Sequence, residues 1–392
     1  MLLSIALIFL IGMILGWLCS KLRLPSLIGM IITGIIIGPF SLNCIDDSIL
    51  SISSELRKIA LIIILLRAGL TLNVSDLKKV GRPAILMCFV PACFEICGMM
   101  ILAPKFLGVS LMDAAIIGAV VGAVSPAVIV PKMIKLINEK RGTEKGVPQL
   151  ILAGASVDDV FVIVMFTVFI GLAQGKKISF LTLVNIPASI ILGIVVGIMT
   201  GIVLAAFFKK FHMRDTVKIM IILSVAFILV YVEDKLETPI TFSTLVAVMF
   251  IGIALQKRRN IVAERLSLKF NKLWCVAEIV LFVLVGATVD LHYVVQTGFA
   301  AVILIFCVLL FRMTGVFLCL LKTDLTVKEK LFCMIAYLPK ATVQAAIGGI
   351  PLSLGLPCGN TVMSVAVLSI LITAPLGAFL IDLSNTKLLK KE

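Results

Sequence analysis

Apolar residues fall in blocks of about 17 positions or more along the whole chain, long enough to cross a hydrocarbon core of about 30 Å as helices. The predicted blocks are 2–19, 24–40, 54–73, 83–103, 110–131, 148–173, 179–207, 217–233, 239–256, 272–289, 297–321, 331–351 and 361–382. Charged or Gly/Pro/Asn-rich breaks such as "LNCIDDS", "SDLKKVGRP" and "QKRRNIVAERLSLK" separate them. The pattern predicts an all-α polytopic membrane protein with about 13 transmembrane helices.

Composition agrees. Hydrophobic residues make up 61% of 392 positions, against about 45–50% in soluble domains. The charge pattern adds an orientation. With the N-terminus outside, 26 of the 35 Lys and Arg residues fall on the inner side and six on the outer. Arg67, Arg312 and Lys340 remain within blocks. The positive-inside rule and the odd block count therefore agree on N-terminus out and C-terminus cytoplasmic. The net charge of +14 is a loop excess facing anionic membrane lipid and calls for no nucleic-acid partner. The ten cysteines form no CxxC pair and read as small core residues, not as disulfides or a metal site. The first block lacks a basic n-region and a cleavage site, so it is predicted to stay as a helix. No GxxxxGK[ST] phosphate loop is present to drive an ATP motor. Short loops without extra domains suggest a bacterial inner membrane.

An internal repeat is visible. "LLRAGLTLN" (65–73) aligns with "FVLVGATVD" (282–290), placing Gly69 on Gly286 and Thr71 on Thr288. The same offset carries Glu95 onto Arg312, and a similar one carries "SPAVIVPK" (125–132) near "LPKATVQA" (338–345). In the predicted orientation the halves 54–173 and 272–382 are inverted. Inverted repeats are the architecture of secondary transporters, whose site lies near the midplane.

Charges at membrane depth are the informative positions, because unpaired ones are prohibitive there. Glu95, the adjacent Asp158 and Asp159, Arg312 and Lys340 lie on four blocks at similar depth and are expected to cluster. Structural salt bridges are the plainer explanation for some of them. Adjacent helical residues diverge by about 100°, so one aspartate can face a crevice while the other faces a fixed partner. A carboxylate in a crevice is a hard oxygen ligand for Na⁺ or Li⁺ and also binds a proton. "GAVSPAVIVP" (122–131) and "YLPKATVQAAIGG" (337–349) put prolines and glycines inside two blocks. Proline frees a helix carbonyl, and broken helices at membrane depth line cavities. Their carbonyls and the Ser125 hydroxyl can coordinate a cation, and Lys340 can neutralise the carbonyl ends. Arg67 and Glu278, nearer the block ends, carry a weaker signal, and His212 and His292 are expected in loops.

Together "GASVDDV", "AVSPAVIVP", "LLRAGL" and "LPKATVQAA" resemble the monovalent cation:proton antiporters, and most of all the NHA-type sodium/proton exchangers. The resemblance covers the chain from the second block to the last. It implies inverted repeats with two crossed broken helices, in a homodimer. It implies a single transporter domain: an ion-carrying core (83–173 plus 297–382), a dimerisation panel (1–73 plus 217–289) and a linking helix (179–207). It also implies exchange of Na⁺ or Li⁺ for H⁺ by alternating access, with no cofactor. Asp159 is similar to the family's main ion-binding aspartate and Asp158 to its neighbour. Ser125 and Pro126 fall on one unwound stretch and Lys340 near the other. Glu95 and Arg312 match a buried ion pair. Electrogenic members carry lysine where Arg312 stands, so electroneutral exchange is expected here.

Other classes fit less well. Intramembrane aspartyl proteases need two aspartates on different helices and a GxGD signature, which is absent, so no enzyme activity is expected. A sodium-coupled symporter would need more polar contacts than these core blocks offer. A K⁺/H⁺ efflux system stays open, although no filter-like sequence or nucleotide-binding domain is present.

Overall fold

The structure, a computed structural model, describes residues 1–22, 24–71, 81–174, 180–235, 242–289 and 291–391. The predicted inner basic residues Arg23, Lys78 and Lys79 lie outside the described residues. The described residues form helices and turns, with one isolated bridge between Arg141 and Lys391. In chain order the helices are α1 (Leu2–Lys21), α2 (Ser26–Ile37), α3 (Asp47–Ser51), α4 (Ser53–Thr71), α5 (Arg82–Met87) and α6 (Val90–Leu107). There follow α7 (Leu111–Val121), α8 (Pro126–Asn138), α9 (Val147–Ala173), α10 (Phe180–Lys210), α11 (Asp215–Lys235) and α12 (Thr244–Arg258). The last are α13 (Asn260–Ala287), α14 (Leu291–Cys319), α15 (Val327–Ala336), α16 (Thr342–Ile347), α17 (Ile350–Ser353) and α18 (Gly359–Leu388).

Among the described residues, nine helical stretches are long and apolar enough to cross a membrane, counting Arg82–Leu107 and Leu111–Asn138 as one each. The remaining predicted blocks form shorter, less apolar or broken helices. Two departures have local causes. α13 begins at Asn260, well before the predicted 272, because "NIVAERLSLKFNK" is amphipathic and continues the helical register. His292, expected in a loop, lies in α14, whose helix starts at Leu291.

The breaks fall where the sequence weakens the helix. α7 ends at Val121 and α8 starts at Pro126, a first helical position where the missing N–H has no intrahelical partner to lose. Pro131 lies inside α8 without ending it. The second break spans residues 337–341, between α15 and α16, and Gly348–Gly349 separate α16 from α17.

The chain forms two compact units. The first comprises Met1–Arg57, Asp76–Ala173 and Ile279–Glu392. In it α6 packs along α14, and α7 packs against α6, α9 and α18. Met87, Val124, Ile129, Ile151, Phe332 and Tyr337 form part of one buried apolar cluster beside the breaks. The second unit comprises Lys58–Ser75 and Gln174–Glu278. There α10 and α12 pack closely through Gly193, Gly197 and Gly201. A Cβ at Gly193 would stand 2.5 Å from the Ser243 carbonyl oxygen, and one at Gly201 2.8 Å from that of Ile251. Small residues every fourth position let membrane helices approach at this distance.

Candidate functional site

The two broken stretches meet inside the first unit. The Ser125 N–H donates to the Pro339 carbonyl at 2.8 Å, joining one break to the other. Each break exposes backbone groups that side chains then satisfy, as buried polar groups require. Lys340 Nζ donates to the Val121 carbonyl at 2.6 Å. Gln344 Nε2 bridges the Val121 and Ala123 carbonyls at 3.2 and 2.8 Å. Arg312 Nη1 donates to the Gly122 carbonyl, and its Nε to the Tyr337 carbonyl at 2.8 Å. The Val124 N–H donates to Asp158 Oδ2 at 2.8 Å. Cations thus meet the carbonyl end of α7, while a carboxylate meets a free N–H of the same break, as the helix dipole favours.

The charged side chains form one continuous chain. Arg312 Nη1 lies 2.8 Å from Glu95 Oε2, and Nη2 lies 2.8 Å from Asp158 Oδ2. Lys340 Nζ lies 2.6 Å from Glu95 Oε1. Glu95, Asp158, Arg312 and Lys340 are fully buried. The expected Glu95–Arg312 pair is thus part of a four-residue chain, Lys340–Glu95–Arg312–Asp158, in which the planar guanidinium serves two carboxylates at once. A lysine ammonium at Arg312 could not present that fork.

Asp158 and Asp159 diverge as adjacent helical positions must. Asp158 is enclosed and held by Arg312 and Val124. Asp159 is half-buried and, among the described residues, has no ion-pair partner and no hydrogen bond to its Oδ1. Ser125 is buried with its hydroxyl unpartnered, as are Thr342 Oγ1 and Gln344 Oε1. Pro126 opens α8 directly after Ser125. Three carboxylates face two fixed cations here, so the ionised cluster carries one uncompensated negative charge. The partnerless carboxylate is that of Asp159.

Sequence reasoning assigned no role to Gln344, Tyr337 or Thr342. Gln344, a lone amide in an apolar stretch one helical turn from Lys340, was the available signal. Tyr337 contributes its backbone carbonyl, which leaves no trace in residue type, and its ring, whose centroid lies 5.5 Å from Arg312 Cζ. Arg67 and Glu278, both in the second unit, interact electrostatically with each other and take no part in this cluster.

Comparison with known proteins gives a consistent result. A family described as "Sodium/hydrogen exchanger, transmembrane" matches residues 5–382. The chain is similar to human sodium/hydrogen exchanger 9B2, at 34% identity over 387 residues, covering 94% of this chain and 70% of that protein. It is similar to human sodium/hydrogen exchanger 9B1 at 30% identity over 395 residues, covering 94% and 73%. Among solved structures it resembles the sodium proton antiporter MjNhaP1 from Methanocaldococcus jannaschii, with a TM-score of 0.87 at 22% identity. That likeness covers 98% of this chain and 97% of the other, and it establishes the fold.

Proposed function

We propose that this chain, which belongs to the sodium/hydrogen exchanger family, exchanges Na⁺ (or Li⁺) for H⁺ across a membrane. The observation that carries the reading is the charge balance of the buried cluster. Glu95, Asp158, Arg312 and Lys340 neutralise one another through contacts of 2.6 to 2.8 Å. Asp159 is left over, and one cation or one proton brings the cluster to neutrality. An unneutralised buried charge is costly. Crossing the membrane is therefore favoured with one or the other bound and disfavoured with neither. Competition for a single carboxylate is sufficient to couple the two gradients.

Asp159 supplies the anionic ligand. The unpartnered hydroxyl of Ser125 supplies a hard neutral oxygen of the kind Na⁺ and Li⁺ prefer. Asp158, tied to Arg312, supports the site by position. Pro126 and Lys340 keep the breaks open and their ends compensated. Arginine stays protonated in proteins, so Arg312 releases no proton when the cation arrives; with Lys340 kept charged by Glu95 and the Val121 carbonyl, exchange is one for one and electroneutral.

Around this site, residues 83–173 and 297–382 act as the moving core. Residues 1–73 and 217–289 form a panel through which two copies pair, and 179–207 link the two parts. The thirteen predicted blocks each cross the bilayer, with the N-terminus outside and the C-terminus in the cytoplasm, in contact with membrane lipid. The transported ions are the only ligands required, and no cofactor takes part.

The test is a Na⁺ pulse to proteoliposomes holding a pH dye and no organic solute. The wild type is expected to move protons. Asp159→Asn is expected to insert and fold but show no exchange, because a near-isosteric amide binds no proton in place of a cation. Normal flux in Asp159→Asn would refute the site. Wild-type flux only in the presence of a co-solute would point to a symporter instead.

A further inference from the structure

Among the described residues the buried cationic side chains are Arg57, Lys218, Arg312 and Lys340. Three of them have a carboxylate partner and Arg57 has none. Charge patterning counts Arg57 with the outer loop residues, yet it is only 6% exposed. Its Nε donates to the Ser53 carbonyl at 3.3 Å, back along its own helix, and its Nη1 is enclosed without an acceptor.

The Nη1 edge of the guanidinium is turned to Gly349, and a Cβ there would meet Nη1 first. A Cβ there would stand 2.8 Å from Arg57 Cζ and 3.0 Å from Nη2. Gly349 follows the carbonyl end of α16, and the other end of α16 begins two residues after Lys340, in the charge cluster. Arg57 thus places a positive charge beside the negative end of the half-helix that carries Gln344 and Thr342. The chain passes from the first unit to the second between Arg57 and Lys58, inside the continuous helix α4. Arg57 is the last residue of α4 to belong to the unit that holds the ion site.

Two opposed effects act on this residue. Attraction to the carbonyl end of α16 favours the contact, while dehydration of an unpaired guanidinium opposes it. A contact so balanced is easily tipped. We propose that Arg57 is a positioning residue for exchange, a latch that holds α16 in the present arrangement and must leave Gly349 when the site changes the side it faces. The latch rests on the antiport reading above, and its test keeps the two apart.

Exchange is measured in right-side-out and everted vesicles of a host without its own exchangers, giving an apparent KM for Na⁺ on each face. Gly349→Ala puts a methyl group where the guanidinium lies, and the flexible end of Arg57 yields before the backbone does. The ratio of the two KM values is expected to shift at least threefold, with Vmax changing less. In an Arg57→Gln background, whose shorter side chain carries no guanidinium, adding Gly349→Ala is expected to leave the ratio unchanged. Arg57→Lys, which keeps the charge but has no Nη1 edge to meet Gly349, should also blunt the effect of Gly349→Ala. A lower Vmax or melting temperature with an unaltered KM ratio would assign the contact a purely structural role and overturn the latch. An equal shift from Gly349→Ala with or without Arg57 would also overturn it. Absence of any Na⁺-driven flux in the wild type would instead remove the antiport reading on which it stands.

Discussion

Glu95 accepts two cations, and that makes it the residue on which the cluster turns. Glu95→Gln strands Lys340 and leaves Arg312 with Asp158 alone, and breaking a buried ion pair in this way costs about 3–5 kcal/mol. It also removes the one uncompensated negative charge, so Na⁺ binding would leave the cluster positive. Lys340→Met errs the other way, leaving two carboxylate charges unbalanced. The double variant Glu95→Gln/Lys340→Met restores a net charge of minus one, with Arg312 still on Asp158. It is expected to be more stable than the sum of the single losses implies, and to recover Na⁺-dependent thermal stabilisation that Glu95→Gln lacks. Thermal melts with and without Na⁺ test this. Simple additivity, together with no recovery, would count against the shared carboxylate. Most of this cluster is legible in the sequence, because a charge inside a long apolar block announces itself. The connection from Arg312 to Asp158 is not, since residue types give the members of a charge cluster and not its pairing. The same limit hid Arg57, which stands beside the loop charges in sequence and is buried against Gly349.

At the scale of elements, two devices shape the molecule: helices interrupted where polar work is done, and helices pressed together where it is not. The interruptions are readable from proline and glycine within apolar blocks, though not in detail. Pro126 begins a helix and Pro131 sits within one, because the first position spares the backbone bond that an interior proline removes. The close approach of α10 and α12 depends on the run Gly193, Gly197 and Gly201. Periodic glycine in an apolar helix is common, and the partner helix has to be seen before the run acquires meaning. Gly197→Leu would drive a side chain into the α12 backbone near Ala247, with Phe250 Cβ only 2.8 Å from the first added carbon. Overpacking of this kind costs about 1–3 kcal/mol. The purified variant is expected to melt several degrees below wild type. Gly298→Ala, with nothing within 4 Å of the added carbon, serves as the neutral control. Equal melting of the two variants would show that α10 and α12 do not need that approach.

For the whole molecule, one number links structure to transport: the single negative charge left when Lys340, Glu95, Arg312 and Asp158 have balanced one another. Neutralised by one Na⁺ or one H⁺, the cluster crosses with the same charge in both directions, and the membrane potential does no work on the cycle. If Lys340 released a proton on Na⁺ binding, two protons would exchange for one cation and each cycle would move net charge. The direct measurement is the reversal point of Na⁺/H⁺ exchange in proteoliposomes clamped at a series of K⁺/valinomycin potentials. One-for-one exchange predicts that the Na⁺ gradient just balancing a given pH gradient is the same at every potential. A balance point that moves with voltage would contradict the one-charge site.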